Sequence, residues 1–93
     1  MNANEFIKWF ETELQNLGQD HIDMNRFEAS NDLVSRAINR LINFPSLERK
    51  RVLDAIIVSH QSGMIGNYKI PVDDRDKFDT IEAILASIEG YLE

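Results

Sequence analysis

The chain has no cysteine, which removes disulfide staples and thiolate chemistry from any account of it. A reducing compartment fits such a chain, and the expected location is cytoplasmic. Histidine occurs only at His21 and His60, far apart and without HExxH or CxxC spacing, so no zinc site and no cofactor is expected. No apolar run approaches the roughly eighteen residues of a membrane span. The start, Met1-Asn2-Ala3-Asn4-Glu5, is polar and acidic rather than a basic leader, so neither a membrane association nor a secretory signal is expected. Glycine is sparse, and Gly63 and Gly66 lack the lysine and following helix of a phosphate-binding loop.

What the 93 residues do contain is apolar periodicity at helical spacing, four times over. Phe78, Ile81, Leu85, Ile88 and Leu92 recur at steps of three and four and predict a helix with one buried face. Phe6, Ile7, Phe10, Leu14 and Leu17 predict another, beginning near Asn2 or Asn4, where Asn2 with Glu5 has the spacing of a capping box, and closed before Gly18. Leu33, Val34, Ala37, Ile38, Leu41 and Ile42 form a third stripe that stops near Phe44, because Pro45 disfavours helical geometry in the residue before it. Arg36 and Arg40 fall on its opposite, wet face. Ser46 is the expected N-cap of a helix from Leu47 to about Ser62, ended by Gly63. Apolar residues on two sides of that helix, Leu53, Ile56 and Ile57 against Leu47, Ala55 and Val58, predict a central position.

The connections are less regular. Residues 19–30 read either as a helix capped by Asp20 or Asp23 and running through Met24 and Phe27, or as a loop. Gly66-Asn67 suits a two-residue hairpin, with a plain ordered loop as the alternative. Pro71 then ends any strand, and Asp73 or Asp74 caps the last helix. Together these features predict an all-α fold over residues 1–93, a single compact bundle of about four helices with a short loop or hairpin between the third and fourth.

Net charge is −6 with a pI near 4.8, but it is segregated. Residues 1–25 set Lys8 against Glu5, Glu11, Glu13, Asp20 and Asp23. Residues 26–51 set Arg26, Arg36, Arg40, Arg49, Lys50 and Arg51 against Glu28, Asp32 and Glu48. The remainder is acidic again. Either the basic middle faces acidic neighbours inside the fold, or it is an exposed stripe that docks an anionic surface.

No residue pattern carries catalysis. Ser59, His60 and Ser62 are adjacent without an oriented base or an oxyanion site. Asp73, Asp74, Asp76 and Asp79 lack the glycine and ligand spacing of a calcium loop. His60, on the apolar face of its helix, reads as a hydrogen-bonded core-edge residue. The expectation is therefore non-enzymatic: a small acidic protein, microbial or phage-like in composition, that binds another protein as an inhibitor, immunity-type factor, antitoxin or assembly subunit. Its candidate contact residues for a basic partner are Glu11, Glu13, Asp76 and Asp79, with Trp9 as aromatic anchor. Ile84 and Tyr91, which widen the apolar face of the last helix, are the candidate homodimer contacts. The alternative is a helix-turn-helix-like nucleic-acid binder, in which Arg36, Arg40, Arg49, Lys50 and Arg51 contact phosphates and Lys69 acts from a wing. Against it stand the acidic total and a recognition helix that is apolar on both sides.

Overall fold

The computed structural model describes residues 1–17 and 26–92, and for residues 26 and 27 the backbone alone. The candidate caps Asp20 and Asp23, the residues Gly18 and Met24, and His21 lie outside the described residues. Helix α1 spans Ala3–Gln15, α2 Arg26–Leu41, α3 Ser46–Gln61 and α4 Arg75–Leu92. Strands β1 (Met64–Ile65) and β2 (Tyr68–Lys69) separate α3 from α4. The architecture is a small all-α bundle, as the periodicity implies.

The helix ends follow local chemistry. Asn2 Oδ1 accepts from Glu5 N at 2.9 Å, and Asn2 N donates to Glu5 Oε1 at 3.1 Å, completing the capping box of α1. At the start of α4, Asp74 Oδ1 accepts from Lys77 N at 3.0 Å. The expected cap of α3 is different: Arg49 N donates to Pro45 O at 2.9 Å, which makes Pro45 the cap and Ser46 the first helical residue. Proline suits that place, since its extended backbone (φ −55°, ψ 145°) turns the chain and no N–H is missed there. Gly63, at φ 80°, closes α3, its N–H bonded to His60 O.

Gly66-Asn67 forms the two-residue hairpin, with Met64 opposite Lys69 and Ile65 opposite Tyr68. Only Gly66 of the loop has positive φ (59°), the pattern of a type II′ turn. A Cβ there would also lie 2.5 Å from Glu11 Oε2, so a side chain at 66 would have to push the Glu11 carboxylate aside in addition to straining the backbone.

Phe6, Phe10 and Leu14 of α1, Leu33, Ala37 and Leu41 of α2, Val52, Leu53 and Ile56 of α3, and Ile81, Ile84, Leu85 and Ile88 of α4 share one core, joined by Phe44, Ile65 and Ile70 from the connections. Helix α4 packs chiefly on α2 and far less on α3. Two expectations are corrected here. Helix α3 is not central: Leu47 (62% exposed), Val58 (63%) and Ala55 stand in solvent, because no described element lies over that side. Ile42 is also exposed, since α2 ends at Leu41 and the chain turns away.

Candidate interaction surfaces

The basic middle segment is largely occupied by the fold itself. Arg36 Nη1 lies 3.1 Å from Glu13 Oε2, and its Nε lies 2.9 Å from Asp32 Oδ2. The Arg40 guanidinium stands over Trp9, 3.9 Å from the ring centroid. Both arginines therefore cover α1, and neither belongs to a wet face. The indole and the planar guanidinium stack with little dehydration cost, and the contact contributes about 0.5–1 kcal/mol. The half-exposed ion pairs contribute less than about 1 kcal/mol each, so their main consequence is orientation: they fix which side of α2 meets α1.

Arg49 closes the end of α2. Its Nε donates to Leu41 O at 3.0 Å, and its Nη2 donates to Ile42 O at 3.2 Å and Phe44 O at 3.1 Å. Leu41 O also accepts from Phe44 N at 3.0 Å, and a fork of donors carrying positive charge adds to that turn where the helix stops, suiting its carbonyls in both geometry and dipole. Lysine 77 serves α1 in the same manner, with Nζ 3.4 Å from Gln15 O and 3.3 Å from Leu17 O. Of the six cations in the nucleic-acid reading, Lys50, Arg51 and Lys69 remain exposed.

The acidic candidates divide similarly. Glu13 is paired with Arg36, and Glu11 Oε2 accepts from Asn67 N at 3.2 Å, tying the hairpin to α1. Asp79 meets Arg75 at 3.4 Å in an exposed i, i+4 pair, and Asp76 O accepts from Thr80 Oγ1 at 2.7 Å. Asp76 and Asp79 thus sit in the first turns of α4, where negative charge complements the helix dipole. Trp9 is half-buried against Phe6, with ring centroids 5.7 Å apart. The pairing of Ile84 with Tyr91 as one exposed edge is also corrected: Ile84 is 1% exposed and belongs to the core, whereas Tyr91 is 73% exposed. About two helical turns separate them, and α2 covers the part of α4 that carries Ile84.

His60 is 4% exposed, with Nε2 3.1 Å from Phe78 O and its ring stacked on Phe78 at 4.2 Å. A carbonyl only accepts, so Nε2 carries the proton, and the ring links α3 to α4 as a core-edge histidine does. Ser59 Oγ donates to Met64 O at 2.8 Å, so it holds the hairpin and does not face the imidazole. Among the described residues no group of three or more His, Cys, Asp or Glu is placed to hold a metal ion, and no helix is long and apolar enough to cross a membrane.

Tyr68, packed against the core from the hairpin, ionises above the usual tyrosine range, first because burial disfavours the phenolate and second because Asp74 adds negative charge. The unfolded phenol releases its proton near pH 10 while the folded one keeps it, so this group's contribution to stability is intact below about pH 10 and declines as pH rises toward the folded value. Urea unfolding at increasing alkaline pH is expected to show that decline, and Tyr68→Phe should reduce it. An unchanged slope in the variant would remove Tyr68 as its source.

A recess lies between α3 and α4. One part, about 420 Å³, is lined by Arg49, Lys50, Leu53, Asp54, Glu89 and Leu92. A second, about 260 Å³, continues along the same pair of helices past Ile57, Phe78, Glu82 and Leu85 to His60, and Glu89 borders both. The floor is apolar, and Asp54, Glu82 and Glu89 stand exposed along the rim. Lys50 is at one end, while Arg49 is turned to the α2 carbonyls. Nothing in the sequence announced this trough, because it exists only through the unequal packing of α4 on α2 and α3. No protein-family model matches the chain, and searches of the curated proteins and of the solved structures find no match.

Proposed function

We propose that this protein acts by binding another protein, without catalysis, and that its docking surface is the trough between α3 and α4. The observation that carries the reading is an apolar floor of Leu53, Ile57, Phe78 and Leu85 beneath an acidic rim of Asp54, Glu82 and Glu89. Two helices side by side offer the groove in which an amphipathic helix lays its apolar face, and the rim selects one with basic flanks. The acidic face inferred for α1 is engaged within the fold, so the partner-facing charge of this reading shifts to α3 and α4. The nucleic-acid reading is weakened by the engagement of Arg36, Arg40 and Arg49 inside the bundle, which leaves three scattered cations on an acidic chain.

The test is affinity capture from lysate of the source organism, with and without nuclease, using the wild-type chain and the double variant Glu82→Lys/Glu89→Lys. Both positions are exposed, so the variant should fold normally. One protein is expected to be retained regardless of nuclease, and its association with the variant should be at least about tenfold slower at low salt, with the difference narrowing as salt rises. Retention that disappears with nuclease and is indifferent to the two substitutions would overturn the reading.

A further inference from the structure

The outer side of α3 has a pattern that points to a specific occupant. Leu47, Arg51, Asp54 and Val58 are spaced four, three and four apart, so they form one seam on the helix, opposite the buried Val52, Leu53, Ile56 and His60. All four are exposed. Among the described residues, neither Arg51 nor Asp54 has an ion-pair partner, unlike Arg36 and Arg75. Two large aliphatic side chains stand in water at the ends of this seam, with opposite charges between them.

The order of the four residues is self-complementary. When two copies of α3 lie antiparallel about a two-fold axis passing between Val52 and Leu53, Leu47 of each faces Val58 of the other, and Arg51 of each faces Asp54 of the other. The same register places Lys50 opposite Ala55 and Glu48 opposite Ile57, so no like charges are opposed. A parallel arrangement would instead set Arg51 against Arg51 and Asp54 against Asp54. We infer that the chain self-associates as an antiparallel two-fold dimer through the α3 seam, with reciprocal Leu47–Val58 contacts flanking two Arg51–Asp54 pairs. This contact does not rest on the trough reading: Leu47, Arg51 and Val58 lie outside the trough, and only Asp54 borders both.

The seam spans residues 47–58, about 18 Å of helix. Such a contact is at the small end of specific interfaces, so the dimer should be weak, with a dissociation constant on the order of 10–100 µM. Sedimentation equilibrium of the whole chain across that range provides the test. Arg51→Asp is expected to weaken association at least about tenfold by placing two acids face to face, and Asp54→Arg should do the same with two bases. Combining the two substitutions in one chain exchanges the pairs without changing net charge and should restore the wild-type constant. All variants alter exposed residues, and circular dichroism reports their folding separately. A chain that stays monomeric over the range overturns the proposal. So does a dimer that ignores Arg51→Asp, or one that the double exchange fails to restore. Glu82→Lys/Glu89→Lys, outside the seam, should leave self-association unchanged, so failure of the dimer and failure of the trough are read separately.

Discussion

Replacing Phe6 by alanine is expected to destabilise the protein by about 3–5 kcal/mol, the range for removing a buried phenylalanine ring. Phe6 sits where α1 meets the turn after α2: its ring centroid is 5.6 Å from that of Phe10, 6.2 Å from Phe44 in an edge-to-face arrangement, and 5.7 Å from Trp9. Truncation therefore removes apolar burial and three aromatic contacts at once, and rigid helix backbones on both sides prevent the cavity from collapsing fully. Small domains hold only about 5–15 kcal/mol in total, so the melting temperature should fall by more than about 12 °C. Ile42→Ala is the comparison, since Ile42 belongs to an apolar stripe of the same kind but stands exposed. Its cost should stay within about 0.5 kcal/mol. Chemical denaturation of both variants with a common slope checks the contrast, and similar losses for the two would mean that the core is not arranged around Phe6 as described.

Arg49→Ala is expected to cost about 2 kcal/mol, a large effect for a residue that is part of the solvent-facing charge pattern. Three carbonyls, those of Leu41, Ile42 and Phe44, lose the guanidinium together, Leu41 O keeping the Phe44 N–H. Two of the three bonds are part-buried, where replacement by water is less complete than at a free surface. Arg49→Lys should recover only a minor part, because a single ammonium cannot address three acceptors arranged around a planar fork. Lys50→Ala and Arg51→Ala, neighbours with exposed side chains, should each change monomer stability by less than about 0.5 kcal/mol. Urea titrations of the four variants at low protein concentration decide the matter. Near-equal stabilities across the set would show that Arg49 does not close α2 in solution, and would return it to the pool of cations available to an external anion.

The two variants mark the boundary of what a one-dimensional reading reaches. Periodicity alone places Phe6, Phe10, Leu14, Leu33, Leu41, Ile81, Leu85 and Ile88 on buried faces, and they are buried. Helix faces are a local property, since every third or fourth residue shares a side whatever lies opposite. The capping box at Asn2, the stop at Gly63 and the positive-φ glycine of the hairpin are likewise legible, because each depends on a few consecutive residues. His60 belongs with them: its place on an apolar face implied a bonded core-edge ring, although only the fold supplies Phe78 O as its partner.

Charge patterning was far less legible. Arg36 and Arg40 fall beside Leu33 at the edge of the apolar stripe of α2 rather than opposite it, and nothing local tells whether another helix will cover that edge. Trp9 and Glu13 come from α1, and the same limitation hides the Arg49 bonds to the end of the preceding helix. Ile84 and Val58 show the converse. Both read as secondary apolar edges, yet α2 covers the first and no described element covers the second.

By itself, then, the sequence determined the class of the fold, the phase of each helix and most of its ends, because short-range hydrogen bonding and side-chain spacing suffice for these. The tertiary structure decided which charges remain available and which apolar edges stay open, including the α3–α4 trough and the α3 seam. Those depend on how closely each pair of helices packs, and packing between elements distant in the chain is set by the shapes of both faces together.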